Sequence, residues 1–178
     1  MNYRLPMNAG WLLLTPLLAL GQGRPRPDEI IDRVLAVVAG DVIMLSDVTA
    51  ARDLGLVEAG TALDPIRELL SRLIDRALIL AEVERYAPPE PSSDAVAREL
   101  AVVRARFPSQ QAYSLALARV GLDERRLSQT VRDNLRIRAY LDQRFTADTP
   151  ERRQALIDGW VADLRHRADV IDLYLAAR

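Results

Sequence analysis

The chain has 178 residues with 24 basic and 25 acidic side chains, a net charge of −1, a single histidine and no cysteine. Every basic residue is arginine, so neither a P-loop, which needs its lysine, nor a Schiff-base amine can be assembled. Disulfides, thiolate nucleophiles and cysteine-ligated metals are excluded, and the balanced charge provides no electrostatic footprint for nucleic acid.

Residues 1–27 read as a charged start at Arg4, an apolar run from Trp11 to Leu20, and small residues at Ala19 and Gly21. That layout predicts a secretory signal peptide over 1–21, a short mature segment over 22–27, and one domain over 28–178. Cleavage is expected after Gly21, with Gly23 as the rival. The apolar run is short of the ~20 residues a membrane-spanning helix needs. Retention of the segment as an uncleaved anchor is the alternative, and on either reading the folded part is exported.

The stretch "RVLAVVAGDVIMLSDV", Arg33 to Val48, is apolar on both sides of a Gly-Asp pair and lacks helical spacing. It predicts a hairpin with strands Val34–Ala39 and Val42–Leu45 around a two-residue turn at Gly40-Asp41. One face of this hairpin is expected to pack on helices, the other to be covered by the C-terminal helix or to line a client cleft. Ser46 or Asp47 then caps a short helix to about Leu54, with Gly55 beyond its end. Residues 55–63 read as a loop.

Asp64-Pro65 places a capping side chain before a proline at the first helical position. The following stripe, Ile66, Leu69, Leu70, Leu73, Ile74, Ala77, Leu78 and Ala81, has helical spacing, and Ile79, Leu80 and Val83 widen it. Pro88–Ser93 breaks this helix and starts a third with Val96, Leu100, Val103 and Phe107 inward. A fourth runs from Ser109 to Val120 and stops at Gly121. Asp123 caps a fifth, long helix to about Phe145, and Thr149-Pro150 opens a sixth with Leu156, Trp160, Val161 and Leu164 inward.

Val170–Leu175 alternates, with Ile171, Leu173 and Leu175 on the face expected to be buried. A lone strand is not stable, so it is expected to return to the N-terminal hairpin. The predicted fold class is therefore α+β, mainly α: about six helices with a small antiparallel sheet formed by the hairpin and the C-terminal strand.

The phrase "EIIDRVLAVVAGDVIMLSDV", a loop, and then "IRELLSRLIDRALILAEVERY" resembles the N-terminal domain of SurA-type periplasmic chaperones, which are ATP-independent holdases for unfolded outer-membrane proteins. The similarity continues through "FPSQQAYSLALARVGLDERRLSQTVRDNLRIRAYLDQRF", 107–145, and 150–175 resembles the helix and strand that complete that domain. The resemblance implies a periplasmic protein that binds unfolded or partly folded envelope proteins. In that family, parvulin-type prolyl isomerase domains usually separate the long helix from the C-terminal one. Here only four residues lie between Phe145 and Pro150, which leaves no room for such a domain. The family turn also often carries Asn, where this chain has Ala39-Gly40-Asp41.

No catalytic, cofactor-binding or metal-binding residue is predicted, no cofactor is expected, and the client-contact residues cannot be named from sequence. His166 alone cannot form a catalytic triad or a structural zinc site. The acidic residues sit at caps or beside arginines, and the arginines of the fifth helix (Arg125, Arg126, Arg132, Arg136, Arg138, Arg144) read as a solvated face. Phe107, Tyr113 and Tyr140 read as core. No nucleic acid or small-molecule substrate is expected, and membrane contact only through an uncleaved signal. The alternatives to a holdase are a docking or assembly subunit for one envelope partner, and a prolyl isomerase relative with degenerate activity.

Overall fold

The computed structural model describes residues 32–57, 60 and 62–174. The expected signal segment, the domain's first residues and Leu175 lie outside the described residues. Strands β1 (Val34–Val38) and β2 (Asp41–Met44) are followed by helices α1 (Leu45–Asp53), α2 (Pro65–Tyr86), α3 (Ser93–Arg104), α4 (Gln110–Arg119), α5 (Glu124–Arg144) and α6 (Pro150–Arg167), and by strand β3 (Val170–Asp172). The three strands form one antiparallel sheet in the order β2-β1-β3. The mainly helical α+β fold and the return of the C-terminal strand to the hairpin are as the sequence predicts.

Five helices start on the side chains their sequences offer. Asp64, Ser92, Ser109, Asp123 and Thr149 each accept the backbone N–H three residues on, a donor the first helical turn would otherwise leave unpaired. The α1 start differs from expectation. The helix begins at Leu45, so Ser46 and Asp47 lie inside it. Asp47 instead accepts the N–H of Met44 at 2.8 Å, and the Ser46 N–H donates to the Asp32 carboxylate at 3.1 Å.

The hairpin turn also sits one residue earlier than predicted. Ala39 and Gly40 both have positive φ, 50° and 93°, and Val38 pairs with Asp41, so Ala39-Gly40 is the turn and Asp41 opens β2. Moving the turn by one residue slides one strand past the other by two and leaves every side chain on its face. The hydrophobic pattern therefore cannot choose between the two turns. The choice is made at the far end, where Leu45 donates to the Arg33 carbonyl and Asp32 meets Ser46. A left-handed Ala39 is costly, because its Cβ crowds the following carbonyl. Ala39→Asn is expected to raise stability by about 1 kcal/mol, seen as a higher urea midpoint at unchanged slope. An unchanged midpoint would mean that residue 39 does not hold this conformation.

Between the pairs Val34–Met44 and Ala36–Ile43, β1 has one extra residue, Leu35. This bulge lets two successive residues, Leu35 and Ala36, both become fully buried. Beyond it Val38 faces the core while Val37 faces out. The face of β3 follows from this parity: Val170 pairs with Val38 and Asp172 with Ala36, whereas Ile171 pairs with Val37. The predicted inward row is thus the outward one. Ile171 and Leu173 are each 48% exposed, and Val170 and Tyr174 pack on the core instead. Two further positions differ. Ala81 lies on the exposed side of α2, and on α6 Ile157 rather than Leu156 is buried beside Leu164.

Two buried clusters result. The first joins the inner sheet face to α2, α6 and the C-terminal half of α5; the second joins the end of α1 to α3, α4 and the first half of α5. Tyr113 and Tyr140 are buried and Phe107 half-buried, as the sequence implies. The C-terminal strand is also clamped to the start of α2. The Tyr174 hydroxyl donates to the Asp64 carboxylate at 2.9 Å, and Arg67 pairs with Asp172 at 2.8 Å. One aspartate thus caps α2 and anchors the end of the sheet.

Candidate functional site

A concavity lies between α2 and α5. Its first part has a volume of about 250 Å³ and is bounded by the outer edge of β2, by α1 at Ala50 and Ala51, and by Leu73, Ala77 and Leu80 of α2. Its second part, about 500 Å³, continues along α2 to Ile137 and Leu141 of α5 and Ile157 of α6. Leu56, Val57, Arg76 and Asn134 border both parts, so the two hollows adjoin along α2. The first part is mostly apolar. The second carries Arg72, Asp75, Arg138, Asp142 and Arg153 along its rim.

Arg76 is the polar group at the junction. Its position in α2 puts it within the stripe Leu73, Ala77, Leu80, so its stem is carried inward with the apolar side chains. The guanidinium is held against α5: Nε donates to Asn134 Oδ1 at 2.8 Å, Nη2 donates to the Thr130 carbonyl at 3.4 Å, and Nη2 is 3.8 Å from Asp133. Burial pulls its pKa below the ordinary arginine value and the Asp133 carboxylate pulls it up. It stays charged, as arginine does in proteins. The groove therefore has aliphatic walls with one fixed cation at mid-length, suited to apolar side chains with a carbonyl or carboxylate between them.

The surrounding helices are cross-braced rather than loosely packed. Arg165 on α6 donates to the Ser71 carbonyl at 2.7 Å and to the Asp75 carboxylate on α2. Arg153 donates to Asp142 at 2.6 Å and to the Phe145 carbonyl at 3.0 Å, fixing the turn between α5 and α6.

The arginines of α5 depart from the expected solvated face. Arg136 is only 13% exposed and lies 3.3 Å from Glu90, Arg138 pairs with Glu99 on α3 at 2.9 Å, and Arg144 lies over the rings of Tyr140, Phe145 and Trp160. Desolvation and neighbouring carboxylates thus turn part of that face into a seam between helices. His166 is exposed in the last turn of α6. Among the described residues, no three or more His, Asp or Glu side chains cluster as metal ligands would, and no helix is long and apolar enough to cross a membrane.

Sequence reasoning named neither Arg76 nor Asn134. A charged residue inside the apolar stripe of α2 was the readable signal, and its partner on α5 was not readable. Compared with known proteins, the chain matches no family model and no curated protein. The functional reading therefore rests on the groove, on the sequence pattern and on the resemblance.

Proposed function

We propose that this protein is an exported, ATP-independent chaperone-like module that binds unfolded or partly folded envelope proteins in the periplasm, without isomerase activity. The observation that carries this reading is the pair of adjoining hollows along α2, one mostly apolar and the other bordered by charges. A holdase needs adaptable apolar surface that grips a chain without ordering it, rather than a set of converging catalytic groups. The likeness of the hairpin and α2 to SurA-type chaperones supports the same reading, as does the signal-like layout of residues 1–21.

The direct experiment follows light scattering of a denatured outer-membrane porin with and without the protein. Suppression of aggregation at several-fold molar excess is the expected result, and scattering equal to the control overturns the reading. Co-purification of one folded partner in fixed stoichiometry, with no effect on the porin, would assign the chain to docking instead.

A further inference from the structure

The outer edge of β2 carries an inference about how a client chain is held, and it rests on the client-binding reading above. β2 is an edge strand, and among the described residues no strand lies beyond it. In an antiparallel ladder successive residues direct their backbone groups alternately toward the partner strand and away from it. Asp41 and Ile43 are directed toward β1, as is Leu45, whose N–H donates to the Arg33 carbonyl at 2.8 Å. Val42 and Met44 are directed away. The N–H of Met44 is already taken by Asp47, and Met44 itself leads into α1. Among the described residues that leaves the Val42 N–H and C=O without a partner on this edge, and its side chain is 51% exposed.

Beside this edge lies the apolar part of the groove, about 250 Å³, walled by Ile43, Ala50, Ala51, Leu73, Ala77 and Leu80. An extended segment laid along β2 would send alternate side chains to the two sheet faces, and those on the inner side would enter this space. Asp41 and Asp47 also border it, and Asp41 is exposed with no ion pair among the described residues. The charge that fits at the Asp41 end is therefore positive, whereas Arg76, lining the same space from α2, takes a carbonyl or carboxylate.

We infer that an extended peptide segment adds to β2 as a fourth strand. It exchanges two backbone hydrogen bonds with Val42, places an aliphatic side chain in the cavity between α1 and α2, and sets a basic residue against Asp41. Main-chain bonds carry the attachment and the pocket supplies the side-chain preference. With a single open residue the attachment is weak and brief, which matches a protein that must release its client.

Val42→Pro isolates this mode. Proline removes the outward N–H, and a proline whose missing donor faces solvent is tolerated on an edge strand. The β1–β2 ladder loses nothing, because residue 42 makes no bond to β1. The probe is a short fluorescein-labelled peptide in which valine and arginine lie two residues apart with threonine between and around them, so that both face the same side, titrated by anisotropy against the full chain. Binding to the wild-type protein with about tenfold weaker binding to Val42→Pro is expected. A fully N-methylated copy of the peptide, which keeps the side chains and loses the donors, is expected not to bind the wild-type protein. That second arm holds even if the variant fails to fold. Equal binding by Val42→Pro, or by the methylated copy, overturns the inference. So does a wild-type dimer that becomes monomeric in Val42→Pro, since the edge would then belong to a second copy. These outcomes are separable from the porin assay: suppression of porin aggregation by a protein whose peptide binding ignores Val42 would leave the client reading standing and remove strand addition.

Discussion

Leu35→Ala lowers the stability of the folded chain by about 2–5 kcal/mol, on the order of 10 °C in the midpoint of thermal unfolding. Leu35 is the extra residue of the β1 bulge, fully buried, and packed in the cluster that joins the sheet to α2. Its truncation removes contact on a side of the strand that cannot collapse, because the flanking pairs Val34–Met44 and Ala36–Ile43 hold the backbone in place. The matched control is Val37→Ala on the outer face, where the side chain is only half-buried and the expected loss is below about 1 kcal/mol. Circular dichroism melts of the two variants check this. Equal losses would mean that the bulge does not turn Leu35 inward.

The helices after α1 were legible because their boundaries carry their own chemistry. Asp64-Pro65 and Thr149-Pro150 name their helix starts outright, and Gly55 and Gly121, both at positive φ, mark two of the stops. The pairing of the hairpin with β3 was legible for a different reason: an apolar hairpin and a distant apolar strand had no other evident partner in the sequence. The face of β3 was not legible. Ile171 and Leu173 are the more apolar row, and only the pairing of Val37 with Ile171 shows that this row points outward. A bulge leaves no mark in a run such as Val-Leu-Ala-Val-Val, where every residue suits either face.

The groove was hidden for a related reason. Its walls come from α1, α2, α5 and α6, and nothing in one helix reports which neighbour stands opposite. Arg76 was the one local clue, a cation in a stripe of leucine and alanine. Periodicity does not say where its charged end goes, and Asn134 and Asp133 hold that end in the seam with α5. Both parts of the groove meet at that residue, so the mid-groove cation and the apolar end beside β2 are fixed by the same packing of α2 on α5.

A chain that stops at Ala168 is expected to be less stable by roughly 2–4 kcal/mol, from the lost ladder bonds of β3 and the lost burial of Val170. The missing bonds include Leu173 N–H to the Leu35 carbonyl at 2.9 Å and Ala39 N–H to the Asp169 carbonyl at 3.3 Å. The exposed pair Arg67–Asp172 adds little to this. A pH profile separates this closure from loss of area alone. The Arg67 backbone N–H and then the Tyr174 hydroxyl hold the Asp64 carboxyl below its ordinary pKa, while the Asp64 carboxylate holds the Tyr174 phenol above its own. A carboxyl with a lowered pKa contributes stability above its ordinary value near 4 and loses it as pH falls; a phenol with a raised pKa contributes below about 10 and loses it as pH rises. Asp47, whose burial raises its pKa, and the Arg67 N–H that lowers Asp64 are present in both chains and cancel from their difference, so only the Tyr174 bond to Asp64 enters it. The stability difference between the full and shortened chains is therefore widest between roughly pH 5 and 9 and narrows toward both ends. Urea melts at a series of pH values read this directly. A difference that is flat with pH would leave β3 paired to β1 but would remove the Tyr174–Asp64 clamp from what holds the sheet to α2.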